Sequence, residues 1–455
     1  MNVLEIDWKN FIAGESLSDA MGNGGFSPES YGLNLTKTRG MLYFNESTTD
    51  LGGATLTGNV IATTYDKNLL GNDAYFLDDE GAFYYLDGST LTKAQSTGAD
   101  TFVLGTSDII QFLGNVYATG NTRIILLTGS DLATIDSAWW TGLTTSYRHP
   151  LERVEDKLYI GDLNVIHTWD GTTSVAAAIT LPTDVNITSL RKHPDGRNLI
   201  AFCGLTANFS HLKGLGGRIY IIDTNLKSWV REIEGVPQVE GSRVVGGVVY
   251  CTYGFNVGYF NGNGITFLKK LLTSATTYSH NLCDMEGVLV VRDGRNALAY
   301  GDLGAGNVWW NLYKNIDNTS SINNLCYKGD NVMVFSYSDG AGAGLMKQVD
   351  YDNAGVSGVF YSNRISFEGE AMIRRFGVLH DRTNTSGTSR FLLTYNDWSG
   401  AGQQTLADIT YVSQDIMKTR VEASLRTDLL QLTITPSNDD LGYRAVRIYY
   451  DSIEQ

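Results

Sequence analysis

Residues 156–171 read Asp156-Lys157-Leu158-Tyr159-Ile160-Gly161-Asp162-Leu163-Asn164-Val165-Ile166-His167-Thr168-Trp169-Asp170-Gly171. A short strand core stands behind a turn, and a second strand runs into an Asp-Gly pair. The last residue of that core recurs along the chain as Tyr75, Tyr117, Tyr159, Leu199, Tyr250, Val290 and Met333, at spacings of 42, 42, 40, 51, 40 and 43. Ten residues beyond the anchor stand Tyr85, Leu127, Trp169, Phe260 and Tyr300, each leading into a turn pair such as Asp87-Gly88, Asp170-Gly171 or Asn261-Gly262. Asp-Gly and Asn-Gly suit hairpins because both central residues tolerate positive φ. The one long spacing carries a Gly-rich insertion, Gly204 to Gly217.

A strand, a tight turn and an antiparallel strand at this period predict a propeller blade. One small sheet leaves two apolar faces and buries them only against neighbours, so such repeats close on themselves. The β-formers in Arg218-Ile219-Tyr220-Ile221-Ile222-Asp223 fit the same reading. A β-sandwich with coincidental spacing is the competing reading. Seven anchors predict about seven blades, with six or eight left open.

The expected fold is therefore all-β: a β-propeller over residues 59–353, a C-terminal antiparallel β-sandwich over 354–455, and an N-terminal extended arm over 1–58. The sandwich rests on strands such as Ile373–His380, Arg390–Tyr395, Leu429–Ile434 and Ala445–Tyr450, separated by turn clusters. The arm has two readings, an assembly segment with aromatic anchors or a strand completing the last blade; different portions can do each.

The composition has 50 glycines, 25 tyrosines and six prolines, which suits strands and tight turns. No run of about 18 apolar residues occurs, and Met1–Trp8 lacks the basic and apolar regions of a signal peptide. A net charge of −15 argues against sequence-reading contact with nucleic acid, which needs a basic footprint. It suits a surface past which DNA slides without adhering. Cys203, Cys251, Cys283 and Cys326 form no CxxC pair, and the six histidines show no metal-ligand spacing.

Catalytic patterns are missing: no GxSxG, no phosphate loop and no GxGxxG before a helix. Asp339–Gly344 reads as a hairpin loop. A propeller hydrolase would need converging carboxylates, and Asp78, Asp79, Glu80, Asp162, Asp223, Asp284 and Asp302 are the candidates. Carboxylates beside turns are usually turn formers, so the chain reads as a non-enzyme without a cofactor. Asp78-Asp79-Glu80 and Asp439-Asp440 are weak calcium candidates. Trp139-Trp140 and Trp309-Trp310 are candidates for stacking on sugars, with one member of each pair expected inside, since adjacent strand residues point oppositely.

An arm containing Phe26-Ser27-Pro28-Glu29-Ser30-Tyr31-Gly32-Leu33-Asn34-Leu35, then a propeller, then a β-domain carrying Ile373-Arg374-Arg375-Phe376, resembles tail proteins of tailed bacteriophages. The likeness is to the hub or nozzle (packaged-DNA stabilisation) proteins of short-tailed phages. It is architectural and carries no diagnostic motif. It implies a virion tail protein assembled in the host cytoplasm: a homo-oligomer, expected as a hexameric ring, in contact with neighbouring tail or head–tail adaptor proteins. Genome DNA would pass through the lumen without sequence-specific binding. Phe26, Tyr31, Leu33, Arg374 and Arg375 are the expected assembly residues. A receptor- or glycan-binding propeller of a tail fibre or baseplate is the main alternative.

Overall fold

A computed structural model describes residues 2–7, 14–15, 25–26, 30–31, 33–35, 42–44, 49–65, 74–97, 102, 107–129, 131–205, 216–273, 281–302, 306–315, 320–338, 344–350, 358–362, 365–380, 387–395, 403–411, 418–436 and 442–453. All regular structure among them is β-strand.

Seven consecutive antiparallel sheets account for the middle of the chain. Sheet one holds Val60–Thr64, Ala74–Asp78, Ala82–Asp87 and Thr90–Ser96; sheet two runs from Ile109–Phe112 to Thr134–Thr141; sheet three from Leu151–Val154 to Ser174–Thr180. Sheet four runs from Val185–Lys192 to Ser228–Val236, sheet five from Gly241–Val245 to Ile265–Lys270, and sheet six from Leu282–Met285 to Asn307–Lys314. Sheet seven contributes Ile322–Tyr327, Val332–Ser338 and Gly344–Asp350. Each sequence anchor lies on the second strand of its sheet, and the second marks, Tyr85 to Tyr300, lie on third strands.

Packing follows from strand alternation. In sheet four, Leu199, Ala201 and Cys203 pack with Tyr159 and Ile166 of sheet three. Their neighbours Ile200 and Phe202 pack with Val249, Cys251 and Phe260 of sheet five. A strand buried on both faces reads as an unbroken apolar run, because successive side chains enter different interfaces. The first strand of every sheet contacts the first strand of the next, and that of sheet seven contacts that of sheet one.

The N-terminal segment takes part in that closure. Thr49–Asp50 pairs antiparallel with Gly344–Asp350 and supplies the fourth strand of sheet seven. Two residues later, Gly52–Gly53 pairs parallel with the outer strand of sheet one. Gly53 has φ +100, and a Cβ there would lie 2.2 Å from the Leu91 carbonyl oxygen. Only glycine lets the clasp approach so closely.

The C-terminal strands form one hydrogen-bonded sheet, where two separate sheets were expected. Its order is Asn2–Asp7, Tyr443–Ile453, Ile365–His380, Lys418–Thr435, Gly387–Tyr395, Gln403–Tyr411, with Phe360–Tyr361 also on Lys418–Thr435. Two strands are far longer than their sequence segments suggested, 16 and 18 residues. The facing layer comes from elsewhere in the chain. Leu33, Leu35, Leu42 and Phe44 share one core cluster with Ile373, Phe376 and Val446 and with Trp310, Leu312 and Phe335 of sheets six and seven.

Candidate functional site

Tyr31, Leu33, Arg374 and Arg375 make contacts within their own chain, and Phe26 pairs through its backbone. Leu33 is fully buried. The Tyr31 backbone exchanges hydrogen bonds with Val359, each 3.0 Å, and the Lys314 ammonium lies 5.1 Å from the Tyr31 ring centre. Phe26 lies in the short strand Gly25–Phe26, which pairs parallel with Gly14–Glu15. Arg374 sits at a register shift in its strand, and its Nε donates to Asp451 Oδ2 at 2.9 Å. That hydrogen bond holds the Asp451 carboxyl below its usual range. Arg375 stacks 5.1 Å from the Tyr449 ring centre. Tyr31 and Leu33 thus belong to the seam between arm and sheets, and Arg374 and Arg375 to the terminal sheet.

A second group of residues lies at the edge where the chain enters each first strand. Asp78, Asp162 and Asp293 each end the second strand of a sheet, beside that entry. Each carboxylate binds the incoming linker. Asp78 Oδ2 accepts from the Thr57 hydroxyl at 2.7 Å, the Gly58 amide at 3.0 Å and the Tyr84 hydroxyl at 3.1 Å. Asp162 accepts the Thr144 amide at 2.9 Å and its hydroxyl at 3.2 Å. Asp293 accepts the Leu272 and Thr273 amides at 2.7 and 2.9 Å. A Thr-to-Asp link spaced about half a repeat apart therefore fixes three crossovers between sheets.

Asp162 differs in having two imidazoles: His149 Nδ1 lies 3.5 Å from one oxygen and His167 Nε2 3.6 Å from the other. The Ala177 amide donates to His167 Nδ1 at 3.0 Å, so the ring proton sits on Nε2, facing the carboxylate. Burial acts to raise the Asp162 pKa, but His167, Thr144 and His149 together hold it below the usual carboxylate range. Burial pushes His149 down, against the pull of Asp162. At Asp293 burial outweighs the hydrogen bonds from Thr273 and Leu272 and the Lys269 charge, and the pKa rises. Sequence spacing gave no sign of this cluster; the only signal was the recurrence of Asp at the strand end.

Charged pairs link the entry edges of sheets three, four and five. Arg148, entering sheet three, bonds the Glu240 backbone carbonyl and pairs with its carboxylate at 2.8 Å, at the entrance to sheet five. Deeper in, Arg191 of sheet four lies 3.3 Å from Glu152 of sheet three and donates Nε to the Ser242 carbonyl of sheet five at 2.7 Å. Burial raises the pKa of Glu152, and Arg191 and Arg243 oppose it.

The other carboxylates named as hydrolase candidates serve turns and linkers. Asp79 accepts the Asn59 amide, Asp223 those of Asn225 and Leu226, Asp284 that of Gly287, and Asp302 that of Gly306. The Glu80 amide donates to Asp78. Asp439 and Asp440 lie outside the described residues. Among the described residues no group of three or more His, Cys, Asp or Glu gathers as a metal site.

The tryptophan pairs behave differently from one another. Trp310 is fully buried and Trp309 half-buried, stacked 4.7 Å from Tyr300 beneath Lys269. Trp139 and Trp140 both pack on the interface of sheets two and three, contrary to alternation. The pairing register shifts between Ile124 and Leu126, and that bulge turns both rings the same way. Trp139 stands 5.2 Å from Trp169 and 5.0 Å from Tyr117.

No protein-family model matches the chain, and no curated protein matches it significantly.

Proposed function

We propose that the chain is a structural component of a bacteriophage tail, a hub, nozzle or connector ring that forms part of the DNA exit channel and binds neighbouring tail proteins. In this reading the seven sheets are the blades of a closed propeller, and the Thr49–Gly53 clasp locks it. The observation that carries the reading is that the N-terminal segment is built into three parts at once: sheet seven, sheet one and the edge of the terminal sheet. That interleaving makes one stiff block of the kind a load-bearing ring requires. The Arg148–Glu240 pair joins the entrances of sheets three and five, and the Glu152–Arg191 pair ties the first strands of sheets three and four, so the entry edge is laced by ion pairs. DNA would pass through the lumen of a ring of copies, past a surface of net charge −15. Negative-stain images of the full-length protein test this: rings with an open centre are expected, and isolated compact particles at all concentrations contradict it.

Saccharide binding by the same propeller is the second reading. It is favoured by the half-buried tryptophans Trp139, Trp140 and Trp169 gathered on one interface. Binding on a glycan array, lost on Trp139→Ala, supports it; no binding on the array removes it.

A further inference from the structure

A cleft of about 250 Å³ opens between sheets three and four. Lys157, Tyr159, Thr168 and Val175 line it from sheet three; Thr224 and Lys227 close it from a hairpin turn of sheet four. The walls bring two ammonium groups and several hydroxyls to an otherwise acidic molecule, beside an apolar patch at Val175.

The polar groups are held in place. The Thr224 hydroxyl donates to the Arg197 carbonyl at 2.8 Å. Asp170 also borders the cleft, but one of its carboxylate oxygens already accepts the Thr172 and Thr173 amides and the Thr172 hydroxyl.

Lys227 is placed at a cost. Its φ is +53, the left-handed region. The turns of sheets one, three and five also contain left-handed residues, Gly88, Gly171 and Gly262, placed earlier in the turn than Lys227. Asp223 fixes the turn by accepting the Asn225 and Leu226 amides.

We propose that this cleft binds one unit of an acidic saccharide, such as a hexuronate. The carboxylate lies between Lys157 and Lys227, sugar hydroxyls meet Tyr159 and Thr168, and an apolar sugar face rests on Val175. Charge-assisted contacts to a carboxylate are the strong ones, and a hydroxyl-lined wall with an apolar patch suits a sugar ring better than a bare ion. The inference goes beyond both readings above: the cleft lies between sheets three and four, apart from the Trp139 cluster on sheets two and three.

The test titrates the full chain with sodium D-glucuronate and with D-glucose at low salt, by saturation-transfer NMR and calorimetry. Saturable glucuronate binding is expected, with glucose at least about tenfold weaker. Lys157→Ala and Lys227→Gly should each weaken binding roughly tenfold, as expected for one charge-assisted contact. Lys227→Gly should melt no lower than the parent, because glycine relieves the left-handed φ, so its loss of binding is not misfolding. Absence of saturable binding, glucose binding as well as glucuronate, or variants binding like the parent would overturn the proposal. Sulfate displacing glucuronate with equal affinity would overturn its sugar part. If glucuronate fails here while a glycan array still reports binding lost on Trp139→Ala, only the cleft is refuted.

Discussion

Thr49 and Gln348 face each other as Cα partners in an antiparallel pair, so the beginning of the chain supplies the strand that the last of the seven sheets lacks. The Leu51 amide donates to Met346 and the Ala54 amide to Leu91, so the same short segment bonds sheet seven and sheet one in turn.

The clasp should therefore govern stability out of proportion to its length. Gly53→Ala forces a side chain against the Leu91 carbonyl at a φ that L-residues avoid. An unfolding free energy lower by about 2–4 kcal/mol is expected from urea titration. Deleting residues 2–7 removes the edge strand of the terminal sheet and leaves the clasp in place, so it should cost the seven sheets less than Gly53→Ala does. Equal stability of Gly53→Ala and the parent would show that the clasp is dispensable.

The Arg148–Glu240 pair should show strong coupling. Burial lowers the pKa of the arginine and raises that of the glutamate, so each charge depends on the other to remain ionised. Removing one partner strands a buried charge, at about 3–5 kcal/mol, whereas removing both costs much less. A double-mutant cycle with Arg148→Met and Glu240→Leu checks this; additive losses would count against it.

The Asp162 cluster predicts a two-stage loss of stability in acid. His149 has a depressed folded pKa, so its contribution is present above about pH 6.5 and is lost as pH falls below that value, where the unfolded chain takes up the proton. Asp162 is also depressed; its contribution is present above about pH 4 and lost as pH falls through the lower folded value. Melting temperatures from pH 8 to 3 should fall in both windows. His149→Gln should flatten the first window, and Asp162→Asn the second. A profile of unchanged shape in both variants would sink the assignment.

All four cysteines are buried thiols, and burial raises the pKa of each, that of Cys283 to about 11. Ellman's reagent should find none in the native protein and four after denaturation. Rapid native labelling would contradict the packing.

The seven sheets were legible because Tyr75, Tyr117, Tyr159 and their counterparts mark one strand per repeat at a steady spacing, with glycine turns between. The terminal sheet was less so. Its long strands Ile365–His380 and Lys418–Thr435 pass through charged residues such as Arg374 and Arg426, and patterning broke them into short pieces. Its covering layer includes Leu33, Leu35, Leu42 and Phe44, more than 300 positions before Ile365, which no local pattern records. The Asp162–His149–His167 contact was hidden for a related reason: a linker residue, a strand end and a mid-strand residue meet only once the linker and both strands are in place. Trp139 and Trp140 misled because a bulge cancels alternation.

The native mass of the full-length protein, measured by light scattering across a range of concentrations, tests the central claim most directly. The account predicts a closed oligomer, six chains in the expected ring, that persists on dilution and on Lys227→Gly substitution. A monomer at every concentration would contradict it.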